Sequence, residues 1–188
     1  MRIEDIYGDL PRMETERLTL RKIGFHDAED MFSYASNEEV SKYLTWETHK
    51  SIEDTKGFID FILTQYESGN IAPWGIELKK TGKLIGTIDF VSWNPRHKVA
   101  ELGFVIAKEQ WGKGLTTEAA TKLIQFGFER MDLIRIQARC FSENIRSERV
   151  MEKAGMHLEG ILRKAMFVKG RHRDLKMYSI MRDETRGK

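Results

Sequence analysis

The residues with the strongest claim on chemistry lie between Glu101 and Ala119. A strand-like run, Val99 to Ala107, reaches Trp111-Gly112-Lys113-Gly114 and opens directly into an amphipathic helical stretch. Two glycines one residue apart let the backbone approach a ligand closely and take conformations that a Cβ would hinder. A helix start adds unpaired N–H groups and the positive end of a dipole, a combination suited to phosphate. Lys113 supplies a cation. The spacing matches neither the Lys-Ser/Thr phosphate loop nor the three-glycine dinucleotide fingerprint. On these residues alone, an anion cradle and an ordinary tight turn both stand.

Other reactive side chains point to less. Cys140 alternates with Ile134, Ile136 and Ala138 on one side of a strand-like stretch. A small buried residue is expected there, and not an acyl-carrying nucleophile. The five histidines, His26, His49, His97, His157 and His172, have no zinc-binding spacing, so no metal is expected.

The elements that must position the glycine turn follow from periodicity. Leu18 and Leu20 alternate with polar neighbours as a first strand. Asp27 is placed to cap a helix carrying Met31, Tyr34 and Ala35, and a short helical piece follows near Glu38 to Leu44. Ser51 and Asp54 have capping-box spacing ahead of a helix with Ile52, Ile59, Ile62, Leu63 and Tyr66 on one face, which stops at Gly69. Ala72 to Leu78 and Leu84 to Val91 make a hairpin around Thr81-Gly82, and Val99 to Ala107 is a third strand. A helix over Thr117 to Met131, a strand around Ile134 to Cys140 and a helix over Asn144 to Ala154 come next. Two strands flanking Lys169-Gly170 close the chain. The order is α+β: a mixed, mostly antiparallel sheet of about seven strands, about four helices, and one parallel strand-helix-strand crossover.

Composition sets the outer bounds. The 188 residues fit one domain, with a core over about 13–182 and an N-terminal arm over 1–12. Thirty-one Lys and Arg against 29 Asp and Glu leave a formal charge of +2, which argues against a dedicated nucleic-acid binder. A single Cys precludes an internal disulfide and suits a reducing, cytoplasmic setting. No apolar run of about 18 residues predicts a membrane-spanning helix. Met1 to Leu10 mixes charges with isolated apolar residues, unlike a signal peptide.

Trp111-Gly-Lys-Gly-Leu-Thr-Thr-Glu-Ala119 resembles the coenzyme-binding motif of the GCN5-related N-acetyltransferases (GNAT). More narrowly, it is similar to the ribosomal-protein N-terminal acetyltransferase, RimJ/RimL-like, branch. Glu16-Arg-Leu-Thr-Leu-Arg21, Gly82-Lys-Leu-Ile-Gly86, Asn144-Ile-Arg-Ser147, Glu152-Lys-Ala-Gly155 and Glu159-Gly-Ile-Leu-Arg163 extend the agreement, in order, over about 13–182. Trp111 stands where the wider superfamily has Gln or Arg, and Thr116 where it has Gly or Ala; both are usual in the Rim branch. Met166 stands where some Rim-type enzymes carry a glutamate, so no catalytic carboxylate carries over to that position.

The resemblance implies a single N-acetyltransferase domain of GNAT fold, with acetyl-CoA as co-substrate and a primary amine as acceptor. Direct attack is implied, without an acyl-enzyme. Gly112, Lys113, Gly114, Leu115 and Thr116 would hold the pyrophosphate, with Lys153 a further candidate for a phosphate on the adenine side. Phe104, Val105 and Ile106 would pair through their backbones with the pantetheine. One N–H there, that of Val105 for instance, would face the oxyanion. Asn144 has amide groups suited to the pantetheine arm, though it also reads as a helix cap. Glu101 is the candidate base, acting through a water, with a strand surface residue as the plain alternative. Ser147 is the candidate proton donor to the thiolate, or another cap. Trp46 and Trp74 border the acceptor channel or pack in the core.

The implied acceptor is a protein N-terminus. A polyamine, an aminoglycoside or an amino acid is the alternative, and a non-catalytic coenzyme-binding domain lies outside the enzyme class. Residues 38–70 and the strand pair after Gly155 are expected to wall the acceptor side. No membrane and no direct nucleic-acid partner is expected, and a homodimer is compatible with the sequence.

Overall fold

Period-two runs become strands and period-3.6 runs become helices in the computed structural model, which describes residues 1–185. The expected domain end at 186–188 lies outside the described residues. In chain order the elements are α1 (Glu4–Tyr7), β1 (Met13–Glu14), β2 (Leu18–Arg21), α2 (Ala28–Ala35), α3 (Glu38–Ser41), α4 (Ile52–Glu67), β3 (Trp74–Leu78), β4 (Lys83–Asn94), β5 (Val99–Ile106), α5 (Leu115–Arg130), β6 (Arg135–Phe141), α6 (Ile145–Lys153), β7 (His157–Val168) and β8 (Arg171–Met181). All eight strands share one sheet, ordered β1-β2-β3-β4-β5-β6-β8-β7. Every neighbouring pair is antiparallel except β5 with β6, the strands that α5 connects. This is the α+β arrangement with one parallel crossover, enlarged by β1 and α1.

The helix α1 comes from the stretch read as an arm, and β1 follows directly after it. Tyr7 is fully buried, with its ring centroid 5.6 Å from that of Trp74 and 6.4 Å from that of Trp93. Trp74 Nε1 donates to the Pro11 carbonyl at 2.7 Å. Trp74 is therefore core, as is normal for an indole whose N–H has found a partner.

Local signals act mostly as expected. Ser51 caps α4, and the Asp54 carboxylate accepts from the Ser51 N–H at 3.0 Å. Gly69 and Gly155 follow their helices with φ of +64° and +87°. Asp27 is different. It stands at the N-cap of α2, but its carboxylate accepts from the Gly24 N–H and both Nη atoms of Arg21, so it ties β2 to the helix instead of capping it.

Two features of the sheet matter for function. The pairing of β5 with β6 runs from Val99↔Arg135 only to Leu102↔Ala138, although β5 continues to Ile106 and β6 to Phe141. The strands part, and a wedge opens between them. On the other side of β5, β4 holds it closely: a Cβ at Gly86 would fall on the Val105 carbonyl oxygen and crowd Ile106 Cα. Gly86→Ala should therefore destabilise the protein by about 1–3 kcal/mol, the usual cost of overpacking. A denaturant melt checks this, and an unchanged midpoint would contradict the tight approach.

Candidate active site

The wedge leads into a cavity of about 330 Å³. Along one wall run Phe104, Val105 and Ile106 of β5, followed by Trp111, Gly112, Gly114 and Thr116 at the entrance to α5. α6 supplies Asn144, Arg146, Ser147, Arg149, Val150 and Lys153, and Val40, Tyr43 and Leu44 close the end beside α3. Eight of the eleven expected site residues thus meet at one cavity. Lys113 projects beside it, with Nζ 3.2 Å from Gln110 Oε1, and Leu115 is buried beneath it. Glu101 is also buried, one turn of the pleat from the wedge, and does not line the cavity.

Backbone phase decides which groups of β5 face the wedge. The Lys98 carbonyl accepts from the Ile134 N–H, leading towards β6, whereas the Ala107 N–H donates to the Ile85 carbonyl, towards β4. Successive peptide groups alternate between strand edges, and the irregularity in the β4–β5 register is an extra residue on β4. The N–H groups of Phe104 and Ile106 therefore point into the wedge. That of Val105, the example expected for the oxyanion, points to β4 instead; its side chain lines the cavity.

The glycine turn is shaped from outside. Gly112 and Gly114 both have φ of +76°, where L side chains are strained, and a Cβ on Gly112 would meet open space. Trp111 Nε1 donates to the Ile106 carbonyl at 3.1 Å, folding the turn back on the strand end. Glu118, in the first turn of α5, accepts from Thr15 Oγ1 at 2.5 Å, the Arg17 N–H at 2.9 Å and Arg17 Nε at 2.6 Å. Arg17 Nη1 then donates to the Lys113 carbonyl at 2.9 Å. The N–H groups of 112–117 donate to no backbone carbonyl and lie at the positive end of α5.

Asn144 is a cap as well as a lining residue: its Oδ1 accepts from the Ser147 N–H at 3.2 Å. Arg146 lies over the Trp111 ring at 4.3 Å. Arg146 and Arg149 were missed in the sequence, although with Lys153 they recur at the three- and four-residue spacing of one helix face. The Glu101 carboxylate is held by Arg139 Nε at 2.7 Å and Gln137 Nε2 at 3.1 Å. Burial pushes the Cys140 thiol up to about 11, as suits an inert packing residue. Trp46 is half-buried against His49. Among the described residues no cluster of His, Cys, Asp or Glu could hold a metal ion, and no helix is long and apolar enough to cross a membrane.

Comparison with known proteins shows the family. A family model described as an acetyltransferase (GNAT) domain matches residues 17–157. The chain is 38% identical over 172 residues to the N-acetyltransferase YoaA of Bacillus subtilis, covering 92% of this chain and 97% of YoaA. The chain belongs to the GNAT acetyltransferases. It is 32% identical over 176 residues to YdaF of Bacillus subtilis, whose name carries a provisional ribosomal N-acetyltransferase assignment, covering 92% of this chain and 95% of YdaF. The microcin C7 self-immunity acetyltransferase MccE, solved with acetyl-CoA and AMP, superposes with a TM-score of 0.79 at 25% identity, over 89% of this chain and 93% of MccE.

This GNAT protein is an N-acetyltransferase, and its cavity fits acetyl-CoA. Open space over Gly112, free N–H groups at the start of α5 and the Arg146–Arg149–Lys153 face suit the phosphates. The unpaired edge of β5 suits an amide-bearing pantetheine arm.

Two outcomes follow. Acetyl-CoA at about 100 times its dissociation constant should stabilise the wild type by about 2.7 kcal/mol. Gly112→Val should remain folded and lose that gain; a variant that shifts like the wild type in a thermal scan would refute the cradle. Glu118→Ala should cost about 1.5–3 kcal/mol at pH 7, the range for hydrogen bonds to a charged group. Burial works to raise the Glu118 carboxyl, but its bonds from Thr15 and Arg17 outweigh this and hold it below the usual value. The clamp's contribution is thus complete above the ordinary carboxylate range and is lost as pH falls through the lowered value. The gap between variant and wild-type melts should close in acid, and a pH-independent gap would show that charge is not involved.

Proposed function

We propose that this enzyme acetylates the α-amine of a protein N-terminus, as the Rim-type motif set and the likeness to YdaF suggest. It would be a cytoplasmic enzyme without a metal, and a homodimer remains compatible with the fold. The observation that carries the chemistry is the wedge, which reaches the reacting centre from both faces of the sheet. Phe104 and the α6 residues line one approach. Val105, Val40, Tyr43 and Leu44 line the other, where a chain terminus can enter. Lys169 Nζ, at the tip of the β7–β8 hairpin, donates to the Ser41 carbonyl at 2.7 Å and ties the hairpin to α3.

Within this reading the neutral amine attacks the thioester carbonyl, and the Phe104 N–H faces the developing oxyanion. The Ser147 hydroxyl gives a proton to the departing thiolate. A free α-amine has a pKa near 8, so a substantial neutral fraction exists at pH 7 and modest base assistance suffices. Glu101 is already gripped by Arg139 and Gln137, and its part is played through a water on the acceptor side.

An acceptor screen with mass-spectrometric product identification, using short peptides, lysine side chains and small amines, tests the substrate class. Preferential acetylation of a polyamine would replace the N-terminal reading. For the residues, Glu101→Gln should lower turnover by about 10²-fold near pH 6.5 at unchanged coenzyme affinity. That deficit should shrink as pH rises and solution supplies free amine. Ser147→Ala should lose less, with no dependence on amine pKa. Full activity of Glu101→Gln below pH 7 would remove Glu101 from the proton path.

A further inference from the structure

A second carboxylate lies on the face of the sheet that carries Glu101 and, like Glu101, stands outside the cavity lining. Asp89 of β4 lies directly across from Gly103 of β5. Its neighbour Phe90 points to α5, where the ring end would crowd a Cβ on Gly127, so Asp89 points to the opposite face. Glu101 stands two residues from Gly103 on that same face, paired in register with Gln137. A Cβ at Gly103 would meet Val91 Cγ1 at 2.6 Å and Asp89 Oδ1 at 3.2 Å, so the glycine makes room for both side chains. The next residue after Gly103 is Phe104, whose N–H faces the wedge.

We propose that Asp89 is the counter-ion and first proton acceptor for the incoming ammonium group, a specificity determinant for amine acceptors that enter protonated. The proposal rests on amine acetylation being the activity, and deepens it. Glu101 already has both oxygens engaged, by Arg139 and Gln137. Asp89 has no salt-bridge partner among the described residues and is only partly exposed. Burial pushes its carboxyl up to about 7, within reach of an α-ammonium near 8. The titratable groups that sense its charge are the phenols of Tyr7 on α1 and Tyr66 on α4, both neutral at pH 7; the charged groups further along the same face are Glu101 of β5 and Arg139 of β6, which pair with each other.

The proton balance is complete. The ammonium gives one proton to the Asp89 carboxylate, and the neutral amine then forms the C–N bond. As the C–S bond breaks, the second nitrogen proton passes to sulfur through the Ser147 hydroxyl, leaving amide and thiol. Asp89 returns its proton to solvent by way of the water beside Glu101.

The test uses the full chain with ¹³C-carboxyl-labelled Asp, trialanine amide as acceptor, and Asp89→Asn to assign the resonance. Asp89 should titrate near pH 7 in the free protein, and the peptide's ammonium should lower that midpoint. Asp89→Asn should reduce acceptor kcat/KM by about 10²-fold, with the acetyl-CoA thermal shift unchanged, and Asp89→Glu should recover part of it. Because ionising Asp89 costs the folded state, stability should fall between pH 4 and 7. The melt of Asp89→Asn should therefore exceed the wild type's by more at pH 8 than at pH 5. An Asp89 resonance indifferent to the peptide, with the wild type turning that peptide over, overturns the proposal alone. Wild-type kcat/KM in Asp89→Asn does the same. If the wild type acetylates neither the peptide nor 1,4-diaminobutane, the amine reading fails and this proposal falls with it. Should Asp89→Asn not fold, the wild-type titration, with the resonance assigned by through-bond NMR, still decides.

Discussion

The parting of β5 from β6 after Leu102 and Ala138 is the constraint on which the site depends. A sheet interior normally has no vacant backbone groups, because an unpaired buried N–H or C=O is costly. Here two adjacent central strands stop pairing while both continue. The freed edge of β5 is open to a partner from outside the chain, and an extended molecule with its own amide groups would satisfy it as another strand would. The separation holds because each strand is secured on its far side: β5 by β4, with Gly86 permitting the close approach, and β6 by β8 over seven residue pairs.

The same logic explains the glycine turn. Its positive φ values suit only residues without a Cβ, and such a turn is inherently free to adopt other shapes. Arg17, Glu118 and Trp111 remove that freedom from the side away from the cavity. A cradle that offers N–H groups to phosphate must be held by contacts that do not use those groups. The bonds from Thr15 and Arg17 to Glu118, and from Arg17 to the Lys113 carbonyl, are that arrangement.

Reading the sequence recovered the strand and helix order and most of the cavity, because periodicity and a distinctive turn are local signals. The misses are non-local. Tyr7 looked like part of an arm because nothing in 1–12 shows that Trp74 and Trp93 wait to receive it. Asp27 had the right residue type and place for a cap, yet Arg21 outbids the helix N–H groups as a partner. Val105 was named for the oxyanion because spacing cannot reveal which edge an N–H faces; two bonds, at Lys98 and Ala107, fix that phase. Asp89 escaped notice because its significance depends on the absence of a side chain across the strand.

Under the proposed function, the two faces of β5 divide the labour of the reaction. Towards α5 the central strands present Phe90, Leu102 and Ile136, an apolar layer packed on Gly127. Away from α5 they present Asp89, Glu101, Gln137 and Arg139, a polar layer beside a glycine. A thioester is best handled where water is excluded, whereas an ammonium group needs a counter-charge and a route for its proton. Neither face meets both needs. The wedge is where they adjoin, one residue apart along a single strand, so the reacting carbon and nitrogen can be approached from different environments without either substrate crossing the sheet.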